Sequence, residues 1–237
     1  MSEIRAVIFD CYSTLIDIKT NEEKEELYNY LSLYLQYYGV MMDAEKLKSS
    51  FYAEKEQYLR SQKERYPEVD LETVFSNILK KEGRDNPFLA ESCCKLLRVL
   101  SRERFQLFPD SLPVLEEMKK GGYPMAVVSD AQKVFYREEG EILGLNHFFD
   151  FVGVSTHFGF KKPDPRLFNI ACTLLNITPV EAVYIGNEPE TDVKGAKQIG
   201  MQAILLDRNG GNRNPQPKPD FYATNLWEAW EWIKSST

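Results

Sequence analysis

Four short apolar runs in this chain of 237 residues each lead to a residue able to do polar chemistry. Ile4, Ala6, Val7, Ile8 and Phe9 run into Asp10, and Tyr123–Val128 runs into Ser129-Asp130. Phe151–Val154 is followed, within the stretch HFGFKKPDPRLF, by Lys162, and Ala182–Ile185 runs into a polar stretch holding Asn187 and Asp192. Each is weak alone: Asp10 could open a turn, Ser129 cap a helix, Lys162 be solvated and Asp192 be a surface acid. An acid at the C-terminal end of a buried parallel strand, however, lies where open α/β sheets place their ligands. If the four runs are parallel strands, a carboxylate, a hydroxyl, an ammonium and a second acid all reach one edge of the sheet. In that order and at those strand ends they are read as one site.

The elements that must position them alternate between strand and helix, with one long interruption. Asn21–Tyr38 reads as a helix, with Leu27, Leu31 and Leu35 at helical spacing and acids loading its first turns. Further helices are expected from about Asp43 to Arg65, over Leu71–Lys81 and over Pro87–Arg104, and nothing between Ile18 and Arg104 reads as a strand. Alternation resumes with Asp110 as N-cap of a helix to Lys120, the strand before Ser129, a helix from Gln132 to Leu143 and the strand Phe151–Val154. Asp164 then caps a helix beginning at Pro165, Val193–Ile199 forms another, and Gln202–Leu206 is the last clear strand. Arg208–Pro219, rich in Gly, Asn and Pro, reads as a loop, and Trp227, Trp230 and Ile233 on the final helix as core packing. The expected fold is α/β: a Rossmann-like, doubly wound parallel sheet with an inserted all-helical domain. Residues 1–16 and 105–237 form the core, and 17–104 the insertion.

Composition narrows the function classes. A formal net charge of −7 disfavours a nucleic-acid or anionic-membrane partner, because phosphates would be repelled. A small anionic substrate needs only a local positive site and remains allowed. No apolar run approaches the roughly 20 residues of a membrane span. The N-terminus enters a strand without a signal-peptide core. Cys11, Cys93, Cys94 and Cys172 lack metal-ligand spacing, and a zinc site is not expected with two histidines. The expected setting is a reducing cytoplasm, and the expected partner a small-molecule substrate.

At these residues the chain resembles the haloacid dehalogenase-like hydrolase superfamily, over nearly its whole length. FDCYSTL is similar to the nucleophile motif, VVSD to the serine motif, GFKKPDPRLF to the lysine motif and YIGNEPETDVKGAKQIGM to the acidic motif. The helical insertion after the first strand resembles that family's cap of the first type. The resemblance implies that Asp10 forms a covalent aspartyl intermediate which water then hydrolyses. A carboxylate is a weak nucleophile and works best when held at a fixed, in-line distance. Ser129 would bond the transferring group, with Tyr12 and Asp130 also facing the substrate. Lys162 would neutralise charge beside Asp10, Thr14 would pin the loop and Asp192 would orient Lys162 or a metal's water shell.

Two departures from the family pattern matter. Its phosphatases carry an acid/base aspartate two residues after the nucleophile, where this chain has Tyr12, and a metal-binding aspartate where it has Asn187. Asp10, the Tyr12 carbonyl and the Asn187 amide would then hold Mg²⁺ only weakly, since a hard cation prefers carboxylates, with Glu188 or Glu190 as substitutes. The resemblance implies a phosphatase acting on a small phosphate ester. A metal-independent 2-haloacid dehalogenase is the alternative, because those enzymes share the tyrosine and an asparagine. Their substrate-cradling cap arginine has Arg60 and Arg65 as candidates. A third reading is a non-catalytic homologue that binds a ligand or partner.

Overall fold

Ala6–Phe9 (β1) is a fully buried apolar strand, as its unbroken run of hydrophobic residues requires. In this computed structural model, which describes residues 3–211 and 215–236, β1 lies near the middle of a six-stranded sheet. The chain leaves it through Ile16–Thr20 (β2) and four helices: Glu25–Tyr37 (α1), Ala44–Ser61 (α2), Leu71–Lys81 (α3) and Pro87–Ser101 (α4). It returns along Arg102–Leu107 (β3) to Ser111–Lys120 (α5), Met125–Ser129 (β4), Lys133–Ile142 (α6), Phe151–Val154 (β5) and Pro165–Leu174 (α7). Ala182–Gly186 (β6), Lys194–Gln198 (α8), Gln202–Leu206 (β7), Phe221–Ala223 (β8) and Leu226–Ser235 (α9) complete it.

All strands of the large sheet are parallel, in the order β5-β4-β1-β6-β7-β8. From β1 the chain builds outward through β4 and β5, then crosses back to build through β6, β7 and β8. Residues just beyond β1 therefore face the crevice where the strand order reverses, the usual ligand position of such sheets. One apolar cluster fills each side of the sheet, around Phe9 and Val127 on one face and Ile8 and Tyr184 on the other. Helices α1 to α4 share a further cluster built on Leu31, Phe51, Phe75 and Leu97, which Val134 and Phe135 of α6 join from the core side.

Several sequence expectations need correction. Residues 18–104 do contain strand: β2 and β3 pair antiparallel, with Ile16 opposite Leu107 and Ile18 opposite Phe105. The helix expected to reach Arg104 stops at Ser101, because Arg102–Leu107 is drawn into that pair, with Arg104 bound to Asp17 at 2.7 Å and Lys19 to Glu103 at 2.9 Å. The helix expected from Asp43 to Arg65 stops at Ser61. Asp110 makes no capping bond; its carboxylate instead takes the Arg208 guanidinium at 2.9 Å and the Leu226 N–H at 2.7 Å, tying α5 to the C-terminal region. Trp227 is exposed, whereas Trp230 and Ile233 pack in the core. The helix expected at Val193 begins with a wider π-helical turn over Pro189–Val193. The expected loop over Arg208–Pro219 includes residues 212–214, which lie outside the described residues.

Candidate active site

Parallel pairing sets the levels of the strand ends. Phe9 lies opposite Val127 and Ile185, and the Asp10 N–H donates to the Ile185 carbonyl at 2.8 Å. Asp10 leaves the sheet with its carboxylate buried between the ends of β4 and β6. Ser129 Oγ donates to Asp10 Oδ1 at 2.8 Å, and Lys162 Nζ donates to the same oxygen at 2.8 Å. The Lys162 ammonium also reaches Asp192 Oδ1 at 2.6 Å and the Tyr184 hydroxyl at 3.0 Å, so its three protons have three acceptors. Tyr184 in turn donates to the Val128 carbonyl at 2.6 Å, and Asp192 Oδ2 accepts the Glu188 N–H at 2.9 Å. Burial would push Lys162 down, but Asp10 and Asp192 outweigh it and hold the ammonium well above the ordinary lysine range.

Local sequence explains this packing. A β-carbon at Gly186 would stand 2.3 Å from the Asp192 carboxylate, so only glycine lets β6 turn closely enough to bring Asp192 under Lys162. After Asp10, Ser13 adopts a left-handed φ of 61°, and the Leu15 and Ile16 N–H groups fold back onto the Cys11 carbonyl. That turn returns Thr14, whose hydroxyl lies 3.4 Å from Asp10 Oδ2 and 3.2 Å from the Asn187 carboxamide. The structure thus brings Asp10, Thr14, Ser129, Lys162, Asn187 and Asp192 together. It does not bring Arg60 or Arg65 there: Arg60 pairs with Glu56 on the exposed face of α2, and Arg65 lies over the Tyr66 ring.

Tyr12 points elsewhere. Its hydroxyl donates to Glu139 Oε2 at 2.6 Å, and Arg98 of α4 forks onto the same carboxylate at 2.7 and 2.8 Å while lying over the Tyr12 and Phe135 rings. Burial, with Glu139 beside it, holds the phenol well above the ordinary tyrosine range, so it remains protonated. These contacts form one wall of a cavity of about 380 Å³ between the sheet edge and the helical segment, which Asp130, Gln132, Glu68 and Lys161 also line. Sequence reading missed Arg98, Glu139 and Tyr184. A signal existed for the first two: Arg98 stands four residues after Cys94, and Glu139 four after Phe135, each on its helix's buried stripe.

The oxygens around Asn187 bear on a cation. The carboxamide orientation that satisfies its hydrogen bonds turns nitrogen inward, towards the Tyr12 carbonyl at 3.3 Å, Thr14 Oγ1 at 3.2 Å and Asp10 Oδ2 at 3.3 Å. Turned over, the amide would offer its oxygen beside those of Asp10 and Tyr12, a donor set with a single carboxylate. The residues fit Mg²⁺ as a loosely held ion competing with the amide hydrogens. Asp192 is occupied by Lys162 and the Glu188 N–H, and Glu190 is paired with Lys194. Among the described residues, no group of three or more His, Cys, Asp or Glu side chains is arranged to hold a metal ion.

A family model for haloacid dehalogenase-like hydrolases matches residues 4–200. Among curated proteins the chain is similar to a phosphoserine phosphatase of Thermus thermophilus, 32% identical over 157 residues, which are 66% of this chain and 62% of that one. The match thus spans less than two thirds of that relative's own length. The chain is also similar to an N-acylneuraminate-9-phosphatase of Rattus norvegicus, 25% identical over 239 residues, covering 96% of this chain and 93% of that one. Among solved structures, a 2-haloacid dehalogenase from Pseudomonas syringae pv. Tomato superposes with a TM-score of 0.78 at 24% identity, covering 99% of this chain and 100% of the other. That likeness is one of fold.

Proposed function

The chain belongs to the haloacid dehalogenase-like hydrolases, and on that premise we propose that it hydrolyses a small phosphate ester through a covalent intermediate on Asp10. The observation that carries this reading is the convergence of Ser129 Oγ and Lys162 Nζ on one Asp10 oxygen, each at 2.8 Å. A phosphoryl group entering beside that oxygen meets a hydroxyl and an ammonium already fixed where its negative charge will lie. Thr14 holds the loop behind the carboxylate. Asp192 keeps Lys162 in place when substrate draws it from Asp10. Tyr12 and Asp130 face the substrate's remaining atoms.

Phosphatase relatives support the phosphate reading, and so does the lack of an uncommitted arginine among the described residues that line the cavity. Of these, the one guanidinium, Arg98, is already spent on Glu139, which leaves no described fork for a haloacid carboxylate. Residues 1–16 and 105–237 are proposed as the hydrolase core and 17–104 as its cap, a reading supported by the helices' own apolar cluster and by the β2–β3 pair at the junction. Magnesium, held by Asp10, the Tyr12 carbonyl and the Asn187 amide, would neutralise phosphoryl charge. Asn187→Asp should tighten its binding at least about tenfold by calorimetry, because a carboxylate replaces an amide at a hard cation. The four cysteines are free and buried, which supports a cytoplasmic setting, and among the described residues no helix is long and apolar enough to cross a membrane.

The deciding experiment is a panel of phosphate esters and short 2-haloacids, with and without chelator. Phosphate release lost in Asp10→Asn is the expected result. The Asn187 amide seated where a cation would lie favours the dehalogenase as second reading, and halide release indifferent to chelator would establish it. Binding without turnover in either class would establish the non-catalytic one.

A further inference from the structure

In a phosphatase of this type, a proton must reach the departing alcohol and another must leave the attacking water. Tyr12, two residues after the nucleophile, does neither, because its hydroxyl is committed to Glu139 at 2.6 Å and Glu139 to Arg98. Few groups in the cavity remain. Glu68 has both oxygens engaged, one by the Val69 N–H at 2.8 Å and the other by the Ser155 hydroxyl at 2.5 Å. Glu22 is paired with Lys55 at 3.5 Å. Asp130 differs: Oδ1 accepts the Lys162 N–H at 2.8 Å, while Oδ2 accepts no hydrogen bond from any described residue. It lines the cavity and directly follows Ser129, which touches Asp10.

We propose, resting on the phosphate-ester reading above, that Asp130 is the general acid and base of this hydrolase, filling the role that Tyr12 cannot. In the first step the Asp10–phosphorus bond forms as the phosphorus–oxygen bond to the alcohol breaks, and protonated Asp130 gives its proton to the leaving oxygen. In the second step Asp130 carboxylate takes a proton from water, whose oxygen bonds to phosphorus while the bond to Asp10 breaks. Inorganic phosphate leaves, and Asp130 is again protonated.

The surroundings suit both states. Burial pushes the Asp130 carboxyl up to about 6, against the pull of Lys162 and its backbone N–H, with Asp10 and Glu68 adding to the rise. Lys161 and Arg98 line the same cavity from the lysine loop and from α4, the second neutralised by Glu139. A carboxyl titrating near 6 can both give and take a proton near neutrality. The Lys162 N–H holds one oxygen still and leaves the other for the substrate.

The test uses p-nitrophenyl phosphate, whose phenolate leaves without needing a proton, beside a simple alkyl phosphate. Asp130→Asn keeps the Oδ1 acceptor for Lys162 and removes the proton. It should still release about one equivalent of p-nitrophenolate per chain in a burst, while steady turnover of both substrates falls about 10²–10⁴-fold. The phosphorylated chain should accumulate, visible as a phosphate-sized mass increase. Wild-type turnover of p-nitrophenyl phosphate, limited by the step that needs Asp130 as base, should decline below about pH 6, that limb should be absent in the variant, and Asp130→Glu should recover part of the loss. An Asp130→Asn chain that turns over like wild type, or that loses burst and turnover in equal proportion, would overturn the proposal alone. A wild type with neither burst nor turnover would overturn the phosphate-ester reading, and this proposal with it.

Discussion

Two buried charge clusters beside the cavity and the strand ends are balanced differently. At the strand ends Lys162 is shared between Asp10 at 2.8 Å and Asp192 at 2.6 Å, two carboxylates to one ammonium. Beside the helical segment, Arg98 is matched by Glu139 alone, with the neutral Tyr12 phenol as third member. The even pair has no charge to spare for a ligand; it joins α4, α6 and the loop after Asp10 and holds them in register. The uneven cluster keeps one carboxylate beyond what its cation cancels. In the proposed mechanism that surplus lets Asp192 retain Lys162 while Asp10 reacts. Buried ion pairs are poor evidence of stability in themselves, since desolvation offsets their attraction. On the proposed reading the two clusters have different tasks: reaction in one, position in the other.

Removing Lys162 should separate them most. Lys162→Met leaves Asp10 and Asp192 buried without a cation, and stability should fall by about 3–5 kcal/mol in urea unfolding, with turnover lost. A variant as stable as wild type would dissolve the distinction. Arg98→Met should cost less, about 2–3 kcal/mol, because at 15% side-chain exposure water can partly replace the lost partner of Glu139. Adding Glu139→Gln should recover most of that loss, since no uncompensated charge then remains. Two losses that simply add would argue against a paired role.

The smallest expected effect has the opposite sign. The Asp130 carboxyl is raised by burial to about 6 in the folded chain, against about 3.9 when unfolded. The folded state therefore holds the proton more tightly, and this contribution to stability is full below about pH 4 and lost as pH rises through about 6. Asp130→Asn should have the higher thermal midpoint at pH 8, with the gap closing as pH falls towards 4. A midpoint difference independent of pH would show that the carboxyl is not held up by burial.

How far the sequence could be read depended on whether a signal was local. The strand Phe151–Val154, the helix Leu71–Lys81 and the Asp164 cap before Pro165 were all legible, because each rests on neighbours a few residues apart. The alternation of Ile16 and Ile18 is also local, yet β2 gains its meaning only from Phe105 and Leu107, some 90 residues away, and it was passed over. Asp110 carried a capping signal that Arg208 and the Leu226 N–H overrode, which no local pattern could announce.

The sequence by itself determined the parallel core and which side chains gather at its edge. Buried strands write themselves as apolar runs, and parallel pairing carries whatever follows each run to the same side. Only the tertiary structure decided that Tyr12 turns to Glu139, that Arg98 rather than Arg60 or Arg65 reaches the cavity, and that Asp130 keeps there one oxygen that no described residue bonds. These are matters of partner and burial. A partner supplied by a distant helix sets the charge, orientation and proton affinity of a side chain, and the residues beside it in the chain carry no record of it.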